Sequence, residues 1–389
     1  MSSLLDYYNI KTKTLSFPYL FNEDLIDIPE DTENIIFLWN PHEPKFNKPL
    51  NNLPKKLKYL NLGHDFNQPL DNLPENMIEI IFSYKFNYPI DKLPNNIIKL
   101  DFGDVSKFNQ KIDNLPKNLK FLLLGSQFNQ SVDNLPENLT YLVLGSAFNK
   151  SIDKLPKKLT HLIFRHSVFN QSIDKLPENL THLIFSGNCD FNKNIHFLPK
   201  NLTHLIFDNR YSCESYFNKS LNFLPNNLTH LQLFVYDKNI DKLPENLKYF
   251  EITRGLINNK KIKINLPNNL KYLYCNDLED MVIPKNLKIL RMNTYNESIN
   301  NIPQNIEKLI LNIYDDNINI CSDNKTIDNI PITIKKLVLP NKNSIKRITK
   351  IPFDVKISYK QKNYFEYIKN PIVTENIFEY IENPNGEEN

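Results

Sequence analysis

The chain has 389 residues and a mass of 45.9 kDa, and 41% of the residues are hydrophobic, including 25 Phe and 19 Tyr. This content is too apolar for a disordered chain, so the chain is expected to fold. The 47 basic and 44 acidic residues leave a net charge of +3, which gives no general attraction to nucleic acid or to a membrane surface. No stretch reaches the roughly 18 apolar residues of a membrane span, and no signal peptide is evident. We therefore expect a soluble, intracellular protein of the cytoplasm.

The sequence contains few elements of a catalytic or metal site. The four cysteines, Cys189, Cys213, Cys275 and Cys321, are widely spaced and form no C-x-x-C pair, which predicts buried thiols rather than disulfides or a zinc site. No nucleophile elbow or phosphate-binding loop occurs, and the chain has only 7 glycines. These observations predict a protein that is not an enzyme and needs no cofactor.

In chain order, residues 1–20 show no periodicity and are expected to form an N-terminal cap. Repeats occupy residues 21–359; they are regular over 46–234 and degenerate over 235–359. In residues 360–389, apolar side chains recur at steps of three and four, which predicts a helical C-terminal cap followed by a loose tail.

The regular repeat is a phrase of twenty residues, seen most clearly at Phe128–Ala147. Within it, Leu142 and Leu144 alternate with Tyr141 and Val143, which is the period of a β-strand. Twenty residues are too few for a strand, two turns and a long helix. The return path is therefore expected to be turn-like, with the Leu-Pro pair holding it near polyproline geometry.

One such coil buries too little apolar surface to be stable alone, so neighbouring coils must stack with parallel strands and share a core. The strands are expected on the inner, concave side. An Asn after each Phe, such as Asn129, and another two residues after each Pro, such as Asn138, are expected to form hydrogen-bonded ladders between coils. An Asp three residues before each Pro, such as Asp133, fits a turn.

The frame L-P-x-N-L-x-x-L-x-[FL] resembles a leucine-rich repeat of the shortest kind. The added motif F-N-x-x-[IV]-D-x-L-P, present at residues 148–156, is similar to that of the FNIP repeat family, found in social amoebae and in giant viruses that infect amoebae. About nine full copies lie between residues 46 and 234, and weaker copies continue to about residue 352. The resemblance implies a leucine-rich-repeat-like solenoid used for protein interaction, in the host cytoplasm if the protein is viral.

Some members of the family carry an F-box ahead of the repeats, which implies a role as a substrate adaptor of a ubiquitin ligase. Residues 1–20 are too few for an F-box, so this role is not transferred to the present chain and stays an alternative.

Two columns of side chains face outward from the strands, one five residues and one seven residues after each Pro. In the middle of the chain they are aromatic and apolar, which predicts an exposed surface for a protein partner. The alternative is that aromatic and β-branched residues simply favour strands. The predicted contact residues are Phe121, Leu123, Tyr141, Val143, His161, Ile163, His182, Ile184, His204, Ile206 and His230.

The four histidines of this surface are in register, which raises the possibility of a metal site. Zinc needs three or four converging ligands, and the neighbouring column offers only isoleucines. A stack of neutral imidazoles is the favoured interpretation, because mutual repulsion opposes protonation of all four.

The function predicted from the sequence is therefore a non-enzymatic, monomeric scaffold that binds an unidentified protein on its strand face. A self-associating structural protein is the remaining alternative. Lysines after the prolines alternate with glutamates, which argues against nucleic acid as the partner.

Overall fold

The computed structural model describes residues 4–38, 46–208, 217–234, 236–253, 263–276, 278, 281–294, 302–313, 327 and 330–359. The chain divides into two units, residues 1–288 and 289–389. The predicted C-terminal cap at 360–389 and the insertion at 209–215 lie outside the described residues, as do Cys213 and Cys321.

The first unit is a stack of parallel strands, one from each coil. Strands β2 to β13 pair in chain order, and β15 follows β13. The short β14 and β16 form a separate parallel pair. The elements are the 3₁₀-helix η1 Leu4–Tyr7, then β1 Tyr8–Asn9, β2 Thr14–Phe17, β3 Asn34–Phe37, β4 Tyr59–Asn61, β5 Glu79–Ile81, β6 Lys99–Asp101, β7 Phe121–Leu123, β8 Tyr141–Leu144, β9 His161–Arg165, β10 His182–Ser186, β11 His204–Asp208, β12 His230–Leu233, β13 Tyr249–Ile252, β14 Ile264–Asn265, β15 Tyr272–Cys275 and β16 Met281–Val282.

The second unit repeats the same arrangement with four parallel strands, β17 to β20, paired in chain order. Its elements are β17 Ile289–Thr294, β18 Lys308–Ile313, β19 Lys336–Leu339, the 3₁₀-helix η2 Lys342–Arg347 and β20 Lys356–Tyr359. No α-helix occurs in the described part of either unit, and none of the described helices could cross a membrane. The predicted parallel solenoid is confirmed.

The sheet begins earlier than the sequence suggested. Strand β2 pairs in parallel with β3, so it already belongs to the stack although it lies within the 1–20 segment assigned to the cap. Only η1 and β1 precede it; β1 is antiparallel to β2, and the Tyr7 ring packs on Phe17 and Phe21. The other predicted domain boundaries stay predictions.

The turn that follows each proline has one repeated hydrogen bond. The Leu139 backbone N–H donates to the Pro136 carbonyl at 3.0 Å, and Leu159 repeats this bond to Pro156. The bond closes a tight turn that starts at the proline, whose ring restricts its φ angle. The return path is thus turn-like, as the sequence predicted.

Phenylalanines form the core opposite the strands. The repeat Phe side chains stack from coil to coil with ring centroids near 6 Å; Phe128 and Phe148 are 6.2 Å apart, and Phe148 and Phe169 are 6.0 Å apart. All three rings are fully buried. Stacked aromatic pairs stabilise beyond their buried area, so each coil depends on both neighbours. Cys189 and Cys275 are also buried, and burial raises the pKa of the Cys189 thiol to about 12.

Both predicted asparagine ladders are confirmed. Asn149 Oδ1 accepts the Asn170 backbone N–H at 3.0 Å and Gln171 Nε2 at 3.0 Å. In the second ladder, Asn138 Nδ2 donates to the Lys117 carbonyl of the preceding coil at 3.0 Å. These side chains satisfy backbone groups between strands and turns, where the sheet cannot.

Replacing Asn149 with alanine is expected to lower the free energy of unfolding by about 1–2 kcal/mol, because the Asn170 N–H and the Gln171 amide lose their shared acceptor. Chemical denaturation followed by circular dichroism measures the loss. Asn194→Ala is the control, since Asn194 is exposed at a variable position of the F-N-x-x-[IV] motif. Equal losses in both variants would show that the ladder adds nothing to stability.

Candidate binding surface on the strands

The outward columns predicted from the sequence lie in register across the strands. His161, His182 and His204 pair as direct neighbours along β9, β10 and β11. Two residues further along each strand, Ile163, Ile184 and Ile206 do the same. We call these the ring column and the aliphatic column, and together they form the strand face. The ring column continues as Phe121, Tyr141, His161, His182, His204, His230, Tyr249 and Tyr272.

The rings of this column stack on one another without a break from Tyr141 to Tyr272. The four imidazoles are 4.1 Å apart with interplanar angles of 11–12°. Tyr141 stacks on His161 at 5.3 Å, and Tyr249 stacks on His230 at 5.5 Å. The predicted histidine stack is therefore present and is closed by a tyrosine at each end.

A threonine precedes each histidine and determines its tautomer. Thr181 Oγ1 lies 3.1 Å from the Thr160 carbonyl and 2.8 Å from His182 Nδ1. A hydroxyl has one proton, and the carbonyl can only accept it, so Nδ1 of His182 must carry its own proton. Thr160, Thr203 and Thr229 repeat both contacts with their own histidines and preceding coils. We assign the Nδ1–H tautomer to all four imidazoles on this ground.

Partial burial keeps three of the four imidazoles neutral. Desolvation, followed by repulsion from neighbouring imidazoles, lowers the pKa of His182 and His204 to about 3. For His230, desolvation and the nearby His182 and Lys248 lower the pKa to about 4. All three histidines are therefore uncharged at neutral pH.

No cluster of metal-ligating side chains is found among the residues the structure describes. The imidazoles lie parallel rather than converging on one point, which is unlike a tetrahedral zinc site. The geometry therefore favours the stack as a structural and contact element.

The aliphatic column does not form the exposed strip expected from the sequence. Leu123, Val143, Ile163 and Ile184 are only 2–8% exposed and pack against one another, with Tyr141 and Ile206 partly buried beside them. They face outward by strand alternation, yet the neighbouring coils stack so closely that each side chain covers the next. The expectation of full exposure is wrong for these four residues, which instead support the ring column.

Two glycines allow a contact between distant coils at the edge of the strand face. Gly125, Gly145 and Arg165 occupy the same repeat position in three successive coils. The coils are so close here that a Cβ on Gly145 would lie 2.4 Å from the Gly125 carbonyl oxygen. With no side chains at these positions, the Arg165 guanidinium reaches Asp104 and forms an ion pair over a separation of 61 residues.

The sequence reasoning did not find the threonine contacts or the Arg165–Asp104 pair. The threonine contacts could have been found, because a threonine directly precedes each of the four histidines. The ion pair had a weaker signal in the sequence, the change from glycine to arginine at one repeat position.

A shallow groove of about 570 Å³ runs beside the ring column. It is lined by the asparagine ladder and the threonines, and Lys248 lies at one end. The side chains that line it, such as Asn179 and Asn201, are hydrogen-bonded to backbone carbonyls of the preceding coil. The groove therefore extends the strand face without adding a reactive group.

One parallel strand and one proline turn per coil, stacked through a leucine and phenylalanine core, define a solenoid of the leucine-rich-repeat type. The FNIP repeat matches residues 46–85, 66–105, 131–167 and 169–210. These segments of the chain are therefore FNIP repeats.

Two solved structures show the same architecture. The giant-virus protein CroV588, described as a circular leucine-rich-repeat protein, aligns with a TM-score of 0.67 and 26% identity over 92% of this chain and 59% of its own. The present chain thus spans about three fifths of CroV588. A leucine-rich-repeat protein of Leptospira interrogans aligns with a TM-score of 0.52 and 18% identity over 91% of this chain and 99% of its own, which supports the fold alone. No curated protein sequence matches the chain.

Proposed function

We propose that the chain is a non-enzymatic scaffold that binds a protein partner on its strand face. Leucine-rich-repeat folds are typical of protein-interaction scaffolds, and the strand face supplies the observation that carries the proposal. Its ring column presents an aromatic stack that is unbroken from Tyr141 to Tyr272 and is extended by the tilted ring of Phe121. Phe121 is 39% exposed, and the histidines are partly exposed. Aromatic side chains held rigid by stacking contribute strongly to protein interfaces because they lose little conformational entropy on binding.

The surrounding charges support a specific orientation of the partner. At one end of the column, Glu79 and Lys99 form an ion pair at 2.9 Å, and Lys99 lies 3.9 Å from Asp101. At the opposite end the ring column holds Tyr249 and Tyr272, and the nearby carboxyl group of Glu251 in the aliphatic column is buried. Because the surface is charged at one end and aromatic in the middle, a partner would bind in only one of the two directions along the solenoid.

Affinity capture from amoebal lysate tests the proposal with a matched pair of proteins. The variant Phe121→Glu with Tyr141→Lys copies the Glu79–Lys99 pair of the two preceding coils, so it is expected to fold while losing two rings of the ring column. A partner of the strand face is expected to be retained by the natural chain and lost from this variant. Equal recovery by both proteins would contradict a contact at the ring column.

The same experiment separates the alternatives. Recovery of the linker subunit of F-box ubiquitin ligases would support an adaptor, and its absence beside another specific partner would argue against one. Sedimentation velocity at two protein concentrations tests self-association, which predicts a sedimentation coefficient that rises with concentration and is lowered by the Phe121→Glu and Tyr141→Lys changes.

A further inference from the structure

The turn before each proline normally carries polar contacts between coils. The residue two before a proline reaches back to the aspartate three before the preceding proline, and so links adjacent coils. The contacts of this kind are Lys92–Asp71 at 3.3 Å, Asn114–Asp91 at 3.5 Å, Asn134–Asp113 at 2.9 Å, Lys154–Asp133 at 3.2 Å and Lys175–Asp153 at 3.2 Å.

Two consecutive coils break this rule in the same way. The turn before Pro199 has His196 and Phe197, and the turn before Pro225 has Asn222 and Phe223. Each turn has lost its aspartate and gained a phenylalanine. The His196 ring lies 4.4 Å from the Phe223 ring and 6.5 Å from the Phe197 ring, so His196, Phe197 and Phe223 form one aromatic patch.

The fold does not need these two phenylalanines in its core. Phe197 is 69% and Phe223 is 55% exposed, whereas the repeat phenylalanines of the same coils, Phe191 and Phe217, are buried and continue the core stack. Asparagine or lysine occupies the equivalent position before Pro244 and before each of the regular prolines from Pro54 to Pro177. An exposed aromatic pair that repeats across adjacent coils is typical of an interaction site.

The charges around the patch define the class of partner. Residues 191–203 and 217–229 contain Lys193, Lys200 and Lys219 but no aspartate or glutamate. The corresponding thirteen residues of the preceding coil, 169–181, contain two carboxylates. The turn aspartates Asp174 and Asp241, and the glutamates Glu178 and Glu245 that follow Pro177 and Pro244, belong to the coils on either side. Within its own two segments the patch is therefore aromatic, and the charged side chains beside the rings are lysines.

We propose that this aromatic patch is a second docking surface, on the turns rather than the strands, for an acidic peptide segment that carries apolar side chains. The apolar side chains of such a segment would pack on Phe197 and Phe223, and its carboxylates would lie near Lys193, Lys200 and Lys219. The absence of carboxylates from both patch segments removes the repulsion that would weaken binding of an acidic chain at a regular turn.

A selection from a random library of twelve-residue peptides, displayed on phage and applied to the full chain, tests the proposal. Enrichment of peptides that combine Asp or Glu with aromatic or aliphatic residues is expected. An enriched peptide, labelled with fluorescein, is then measured by fluorescence anisotropy at low and moderate salt, and its affinity is expected to fall as salt rises.

Two variants place the binding on the patch. Phe197→Asn with Phe223→Asn restores the residue of many regular turns, as at Asn134, and is expected to weaken the peptide at least tenfold without loss of fold. Lys193→Gln with Lys200→Gln and Lys219→Gln is expected to weaken it and to flatten the salt dependence. The strand-face variant Phe121→Glu with Tyr141→Lys is expected to bind the peptide as the natural chain does.

Several outcomes would overturn the proposal. These are enrichment of no peptide or of basic peptides, equal affinity in the Phe197→Asn and Phe223→Asn variant, and loss of binding only in the strand-face variant. A labelled oligouridylate that binds the patch when no acidic peptide does would show that the partner class is wrong. Except for loss of binding in the strand-face variant, which would place the peptide on the strand face, none of these results bears on whether the strand face has a partner of its own.

Discussion

Lowering the pH from 8 to 5 is expected to destabilise the first unit, and replacing His182 and His204 with tyrosine is expected to remove most of this loss. Both histidines have pKa values of about 3 in the folded chain, against about 6.5 when unfolded. Between these values the unfolded state binds more protons, so stability is complete above about pH 6.5 and falls as the pH decreases toward 3. At pH 5 each histidine accounts for at most about 2 kcal/mol.

Tyrosine is the informative substitution because the ring column already contains it. Tyr249 and Tyr272 stack at 4.2 Å, so a tyrosine at either histidine position keeps an aromatic ring in the stack. It also removes the imidazole that gains a proton when the chain unfolds at acidic pH. Melting temperatures at pH 8 are expected to be similar for both proteins and to separate as the pH falls.

The control for this experiment is the exposed His196, which lies outside the ring column. The variant His196→Tyr is expected to keep the full pH dependence of the natural chain. If the His182→Tyr and His204→Tyr variant lost as much stability on acidification as the natural chain, the neutral stack would not be the origin of the effect.

Acidification is also expected to act locally. The groups that oppose protonation are the neighbouring imidazoles and, at His230, Lys248. No carboxylate contributes to these lowered pKa values, so a positive charge gained at one ring is not offset by a negative charge. Since coils stabilise only their neighbours in a solenoid, loosening should begin at β9–β12. A partner bound to the ring column would then be released at acidic pH.

The sequence predicted the architecture well because the same residue type recurs at the same position of many coils. Asn129 and Asn149 follow Phe128 and Phe148 at the same place in each coil, and a side chain that recurs with the coil period must meet its own copy in the next coil. Parallel strands in register and the asparagine ladders follow from that period alone.

What the sequence could not show is how closely the coils pack. Strand alternation places Val143 and Ile163 on the outer face but does not say that neighbours bury them to 2% and 4% exposure. The Arg165–Asp104 ion pair links residues at different repeat positions, so no periodicity indicates it. The aromatic patch was visible as a departure from the repeat, and its meaning required the exposure of Phe197 and the ring contacts of His196.

Replacing Phe148 with alanine is expected to lower the free energy of unfolding by about 3–5 kcal/mol. The Phe148 ring is fully buried between Phe128 and Phe169, so its loss leaves a cavity and breaks the stack in the middle of the regular repeats. Guanidinium denaturation measures the change, and it is also expected to become less cooperative, because coils on the two sides lose their shared contact.

A second substitution at the same position separates loss of packing from loss of aromatic character. Tyrosine replaces the repeat phenylalanine at Tyr236, where its hydroxyl donates to the Lys219 carbonyl at 3.0 Å. Lys219 is two residues after Phe217 in the coil before Tyr236, and Gln130 is likewise two residues after Phe128 in the coil before Phe148. The Gln130 carbonyl is therefore expected to accept a hydrogen bond from a tyrosine at position 148. Phe148→Tyr is therefore expected to lose much less stability than Phe148→Ala.

The matched control is Phe197→Ala, which removes an exposed phenylalanine from the same solenoid. Its free energy of unfolding is expected to change by less than about 0.5 kcal/mol, as is usual for surface substitutions. A large loss at Phe197 would mean that the ring supports the turn, which would remove the reason for assigning the aromatic patch to a partner. A small loss at Phe148 would mean that the leucines of the strands, rather than the phenylalanine stack, hold successive coils together.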